Sequence, residues 1–439
     1  MRTDFDAIVI GAGPAGSTAA ILLGRAGWSV ALIEKRDFPR RKVCGECLAA
    51  SNLSILDALG VGQAYRGAAG PELKHLALLR GDEQVLADLP PGAVEGRRWG
   101  RALGREILDT MLRDQARAAG VTLLQPWAVQ GVRGGAGDWR VEVRAVDSRE
   151  CLSLRAPVAV AANGSWEALP SGLPGRRPRR RAGELFAFKA NFRGVALREG
   201  VLSVLALDGG YGGMVLAEQG IATVACCVRR DRLEACRRAQ PGLRAGEAVE
   251  SWLAQDCLGV RTALAGATRQ GPWLAAGPLD PGVRLRGDDA MFRIGNAAGE
   301  AHPIVGEGMS MALQSAWLLS AQLLELAGRN GPPRDAAAGA SWQREAAARY
   351  AAAWKRQFVP RMRIAAAFAH AAMHPATSVV GLGAARLWPG LLTRGASWSG
   401  KIRDIIEPPS ASPRTRLSPQ SLRPQVDRAS RTNRHDDNL

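Results

Sequence analysis

Hydrophobic positions in the first 35 residues fall into blocks of different period. FDAIVI, residues 5–10, is a continuous apolar run, and residues 14–26 carry small and apolar side chains at helical spacing until Gly27 stops them. WSVALIEK follows as a second run. The pattern predicts strand, helix, strand within about 30 residues. Segment 46–59 places Leu48, Leu53, Ile55, Leu56 and Leu59 at helical intervals, and 104–119 is a clearer amphipathic helix. VTLLQPWAVQGV and WRVEVRAV read as strands joined by the turn GGAGD, and PVAVAANGS as a strand ending in a turn.

From Leu185 the pattern changes. LFAFKANF, VLSVLAL, GGMVLA and IATVACCV are consecutive short runs separated by Gly-rich or charged turns, which predicts an antiparallel sheet. Helices are expected around 231–239 and 245–256, and MFRIGNAAGEAHPIVGEGMSMALQSAWLL returns to strand, loop and helix. Ala-rich helices are expected at 312–327 and 340–370, the second as a cap over a substrate cavity. Residues 176–182 read as a connector, and no internal repeat is present.

Chemistry enters with Gly11, Gly13 and Gly16, a GxGxxG spacing between the first strand and its helix. Gly11 permits the tight turn, Gly13 lets backbone approach a pyrophosphate, and Gly16 lets helix pack on strand. The helix start presents free N–H groups and a positive dipole end to phosphates. Glu34 ends the second strand, placed to accept hydrogen bonds from ribose hydroxyls and to disfavour a 2′-phosphate. This spacing alone leaves FAD and NAD open.

Residues 294–315, IGNAAGEAHPIVGEGMSMALQS, supply a second motif: Gly295, Asn296, Ala297, Ala298, Pro303, Gly306, Gly308 and Ala312. Here the chain resembles the FAD-dependent oxidoreductases that include the para-hydroxybenzoate hydroxylase-like monooxygenases and the geranylgeranyl reductases. Their pattern is Gly-Asp-Ala-Ala, then Pro, then Gly-x-Gly-x-x-x-Ala. Asn296 stands where the family usually has Asp, and still offers an acceptor and a donor to a ribityl hydroxyl. A helix beginning near Gly308 would stabilise negative charge at the N1–C2=O edge of a reduced flavin.

The resemblance covers roughly residues 1–330 and extends to further positions. Arg105 matches an Arg that typically contacts the cofactor phosphates. Lys42, Cys44 and Gly45 match the Lys-x-Cys-Gly segment of geranylgeranyl reductase-like proteins, which passes near the flavin. Pro14, Ala15, Lys35, Val129 and Met309 fall within the implied cofactor shell. GGYGG at 209–213 resembles a Gly-Tyr-Gly-Trp strand but lacks the second aromatic, and Asn163 replaces an Asp linked in hydroxylases to nicotinamide handling. The Trp-x-Trp-x-Ile-Pro segment of tryptophan halogenase-like proteins is absent, which sets halogenation aside.

The resemblance implies an α/β fold. A Rossmann-type FAD-binding domain is built from residues 1–70, 100–175 and 285–330. An inserted antiparallel β-sheet substrate domain is built from 71–99 and 183–284. A helical C-terminal region follows at 331–407, and 408–439 is expected to be a disordered basic tail of Pro, Ser and Arg. The activity implied is FAD-dependent oxidation or reduction of an apolar or aromatic small molecule, with NAD(P)H as external donor. Hydroxylation with oxygen stands slightly ahead of double-bond reduction. His302, inside the second motif, and Cys44 are the candidate catalytic residues.

Composition narrows the alternatives. The 439 residues are 46% hydrophobic and 23% charged, ordinary for a globular chain with a large core. Seven Cys at scattered spacings do not make a secreted disulfide framework. Cys44 and Cys47 form one CxxC, readable as a redox dithiol or as two packed thiols. No second CxxC completes a zinc site, so no metal is expected. The first ten residues lack a basic stretch followed by a long apolar one, and no run is long enough to span a bilayer, so a cytoplasmic protein is expected. The net charge is +17, with Arg176, Arg177, Arg179, Arg180 and Arg181 clustered. These clusters lack interleaved aromatics for base stacking, so no specific nucleic acid is expected. Residues 364–392 are apolar enough for weak peripheral membrane contact. The rival reading from another class is a basic nucleic-acid or membrane-surface protein that keeps a vestigial flavin fold.

Overall fold

The computed structural model describes residues 2–165, 182–286, 291–327, 331–333, 335–398 and 400. The Arg176–Arg181 cluster and the 408–439 tail lie outside the described residues. At the centre is a five-stranded parallel sheet in the order Phe292–Arg293, Val158–Ala161, Ala7–Ile10, Val30–Ile33, Thr122–Leu124. Residues 7–10, 30–33 and 158–161 are buried without exception, as a sheet covered on both faces requires. Period-2 alternation then sorts them. Ala7, Val9, Val30 and Leu32 face helices Pro14–Arg25 and Gly308–Ala327. Ile8, Ile10, Ala31 and Ile33 face a three-stranded antiparallel sheet of residues 127–135, 138–145 and 151–156.

Several sequence expectations change. VTLLQPWAVQGV is two strands: Thr122–Leu124 completes the parallel sheet, and beyond Pro126 Trp127–Gly135 joins the other. Segment 46–59 is helical only from a 3-10 turn at Ala50–Asn52 through the α-helix Leu53–Ala58. Before it, Cys47–Leu48 pairs with Arg101–Ala102, because that pairing satisfies backbone groups a helix would have claimed. The late helices are longer than expected, Gly308–Ala327 and Ala336–Met373, the latter continuing through Pro360. Tyr350, Trp354 and Phe358 of the long helix are buried against the FAD-domain core. Each such side chain contributes about 1.5–3 kcal/mol of burial.

The second sheet has eight strands and is mixed rather than antiparallel. Strand Val201–Leu207 runs parallel to His75–Arg80, because the latter enters from a separate stretch of chain and not through a hairpin. All its other pairings are antiparallel. Its outer face, with Phe188, Phe192, Met214, Val224, Cys226 and Val228, is covered by helices Ala245–Asp256 and Leu258–Leu264. Its inner face, with Ala187, Tyr211 and Cys227, meets the FAD domain and the end of the long helix at Ala369 and Met373. Adjacent Cys226 and Cys227 therefore lie on opposite faces, as strand geometry requires.

Candidate cofactor and substrate site

A cavity of about 640 Å³ runs along the seam between the parallel sheet and the inner face of the eight-stranded sheet. At one end the first β–α turn forms an open backbone cradle. Gly11 has φ +105°, and a Cβ there would meet Ala162 O at 2.5 Å. At Gly16 a Cβ would lie 1.8 Å from Gly11 O, so helix–strand contact excludes any side chain. Gly13 differs: its backbone is extended, and the nearest atom to a Cβ is Arg105 Nη2 at 3.9 Å. The space it leaves belongs to the cavity, which Gly11, Gly13, Pro14 and Ala15 all line.

Glu34 closes this end. Its carboxylate accepts from Ala12 N at 3.1 Å and Arg36 N at 2.9 Å, and pairs with Arg40 Nη2 at 3.2 Å. Arg40, stacked 4.6 Å from the Phe38 ring centroid, keeps Nε and Nη1 buried without a protein partner. Two orphaned donors beside an open glycine cradle fit an adenosine diphosphate moiety. Lys35 and Val129 line the same end. Arg105 is buried and forms a bidentate pair with Asp109, at 2.7 and 2.8 Å. Burial opposes its charge, but Asp109 and then Cys44 raise the pKa above the ordinary guanidinium value. Arg105 thus lines the cradle with its positive charge held in place.

At the flavin end, Gly295 has φ +58° and Gly306 φ +67°. The helix then begins at Gly308, where a Cβ would meet nothing within 4 Å. Gly295 N donates to Ser315 Oγ at 2.8 Å, which ties the loop to the helix it feeds. Asn296 Nδ2 donates to Ser165 Oγ at 2.8 Å, leaving Oδ1 as its acceptor. Gly295, Asn296, Pro303, Gly306, Gly308 and Met309 line the cavity, as do Cys44 and Gly45 opposite them. Among the expected residues, Gly16 and His302 are not on the wall. Gly16 serves packing. His302 has its Nδ1 3.5 Å from Oη of Tyr211, a residue of the wall, and its ring 5.7 Å from that of His370. Burial and His370 push its pKa down to about 4, so it is neutral at physiological pH. Both thiols of the CxxC reach the cavity wall, but Cys44 is half-buried there, whereas Cys47 is buried and packs with Leu73, Leu89 and Val215.

Sequence reasoning missed the hub that joins the two sheets. Glu46, in the left-handed region at φ +59°, is buried between them. Its carboxylate accepts from Arg105 N at 2.9 Å, from Lys189 Nζ and from Thr223 Oγ1. Lys189 and Thr223 belong to the eight-stranded sheet. Glu218 accepts from Gly104 N at 2.7 Å, so two carboxylates hold the start of the Arg105 helix. The available signal was Lys189 itself, a charge inside the apolar run LFAFKANF, which needs a partner once buried. Beyond the flavin end the chamber is walled by Leu202, Val204, Tyr211, Val215, Leu279 and Ile304.

These features coincide with a family match: residues 4–250 fit the model described as FAD binding domain. The chain belongs to the FAD binding domain family. Over 340 residues it is 26% identical to conditioned medium factor receptor 1 of Dictyostelium discoideum, covering 73% of this chain and 63% of that protein. Over 121 residues it is 34% identical to a menaquinone reductase of Mycobacterium tuberculosis, covering 27% of this chain and 28% of the relative. The chain thus spans less than two thirds of either relative. Among solved structures it is similar to a myxobacterial chondrochloren halogenase, at TM-score 0.66 and 20% identity, over 90% of this chain and 91% of that one. That likeness is one of fold. The open cradle, the orphaned Arg40 donors and the glycine-lined start of the Gly308 helix fit FAD.

Proposed function

We propose that this protein is an FAD-dependent oxidoreductase that reduces an apolar, unsaturated small molecule. The observation that carries the reading is the chamber beyond the flavin end, walled largely by apolar side chains where the buried Glu46–Lys189 pair joins the two sheets. FAD, when bound, supplies hydride transfer. The chain's residues do the rest. Glu34 and Arg40 hold the adenosine end, and the Gly11–Gly16 turn with Arg105 takes the pyrophosphate. The start of the Gly308 helix places positive potential at the flavin edge. The chamber wall excludes water. Burial raises the Tyr211 pKa well above its ordinary value, so its hydroxyl stays protonated as a donor on that wall.

The likeness to a menaquinone reductase supports reduction and a lipophilic, prenylated or quinone-like substrate. Hydroxylation is the second reading, supported by GGYGG at 209–213, which lacks the second aromatic of the isoprenoid reductases. The test is single turnover. Enzyme reduced with dithionite is mixed anaerobically with menaquinone, and separately with a phenol under oxygen. Anaerobic gain of two hydrogens in the product supports reduction. A product that gains an oxygen atom only when oxygen is admitted overturns it in favour of hydroxylation.

A further inference from the structure

Helices Pro375–Leu387 and Gly390–Trp398 lie against the outer strands of the eight-stranded sheet. Their inner face is accounted for. Leu382 and Ala385 pack on Val85, Arg80 Nε donates to Ser378 Oγ at 2.8 Å, and Thr393 Oγ1 donates to Asp88 O at 2.6 Å. Their outer face is a second apolar surface with no protein against it among the described residues. Val380 is 72% exposed, Leu387 75%, Trp388 67% and Trp398 64%, with Val379 and Leu391 beside them. Val380, Gly383 and Leu387 recur at i, i+3 and i+7, one stripe of the helix. An ordinary soluble surface scatters such residues singly; a contiguous set marks an interaction site.

We propose that this helix pair docks the protein on an anionic phospholipid surface. Charge selects the partner. The two helices carry no Asp or Glu but carry Arg386 and Arg394, and Lys401 and Arg403 follow them in the sequence. The nearest carboxylates, Glu83 and Asp88, lie on the supporting strands and are paired with Arg386 and His75. Exposed Trp at the turn and at the end of the second helix, aliphatic side chains between them and cationic flanks match a helix lying in the headgroup region. A second copy of the same face would bring like charges together, which disfavours self-association. Among the described residues no helix is long and apolar enough to cross a membrane, so the contact is peripheral. The inference does not rest on the reductase reading, because vesicle binding is measured without turnover.

The test is flotation of the full-length protein with phosphatidylglycerol–phosphatidylcholine vesicles and with pure phosphatidylcholine vesicles. The expected result is binding to the anionic vesicles that weakens with salt. Val380→Asp and Trp388→Asp, each at an exposed position, are expected to lower the partition by about tenfold or more while flavin content and melting temperature hold. Equal binding to both vesicle types, or none, overturns the proposal. So does anionic binding unchanged in both variants, which would place the contact in the arginines beyond residue 400. A dimer in sedimentation that either substitution dissolves, without vesicle binding, would assign the face to self-association and also overturn it.

Discussion

The cradle around Gly13 and the hub around Glu46 sit a few residues of wall apart in the same cavity, yet they are built on opposite principles. The cradle consists of backbone and missing side chains, so any deviation in sequence there is a clash, and the residues that make it lie within six positions of one another. The hub consists of an ion pair, a hydroxyl and a backbone N–H brought from residues 46, 105, 189 and 223, and 143 positions separate Glu46 from its partner Lys189. One binds by leaving room; the other holds by filling a buried site with a hydrogen-bonded ion pair. Gly13 should therefore tolerate substitution for folding but not for binding, the hub should do the reverse, and Gly11 and Gly16, where a Cβ would meet backbone, should tolerate neither.

The largest expected effect breaks the hub. Lys189→Met leaves Glu46 buried without its cation, a loss of about 3–5 kcal/mol. Adding Glu46→Gln should recover much of it, because a neutral pair carries no uncompensated charge. Denaturant unfolding of the three variants checks this, and a Lys189→Met protein as stable as the parent would remove the hub from the account.

Next in size is acid stability. His302 has a folded pKa of about 4 against 6.5 for a free imidazole. The unfolded chain takes up the proton first, so stability is whole above about pH 6.5 and falls as pH drops towards about 4, by less than the full shift implies because solvent reaches part of the ring. His302→Asn should flatten that part of the stability–pH curve. An unchanged slope would show that His302 is not the buried neutral group.

A smaller change tests the adenosine end from the binding side. Glu34→Gln should weaken FAD binding by about 1.5–3 kcal/mol, the scale of a hydrogen bond to an ionised group, with little change in fold. Equilibrium titration of the apoprotein measures it, and unaltered affinity would remove Glu34 from the ribose. Smallest is the thiol pair. Cys44→Ser should shift the flavin absorbance or potential, since Cys44 is the more open thiol of the wall and interacts with Arg105, and Cys47→Ser, at the buried thiol, should shift both less. Equal loss of turnover in both variants would instead indicate a working dithiol.

The same contrast explains what the sequence disclosed. The cradle, Glu34 and the Gly295–Gly308 loop were legible because their geometry is local and dictates residue type at fixed spacing. Strands of the parallel sheet were legible because burial on both faces leaves continuous apolar runs. The hub was not, because Glu46 reads as a surface acid until the fold closes over it. The break in the 46–59 helix was hidden for a related reason: Leu48 keeps helical spacing while its backbone pairs with Arg101. His302 is legible as part of its motif, but its neighbours Tyr211 and His370 come from distant segments that the motif does not encode.

The central claim is that Gly13 keeps the cradle open for FAD without itself being needed for the fold. Gly13→Val tests it most directly, because the extended backbone at residue 13 accepts a β-branched side chain, whose methyl groups would occupy the cradle. The measurement is flavin released on denaturation, per chain, alongside the melting temperature of the apoprotein. The account predicts a yellow parent that releases FAD and a colourless variant whose apoprotein melts with the parent's. A Gly13→Val protein carrying a full complement of FAD would contradict it.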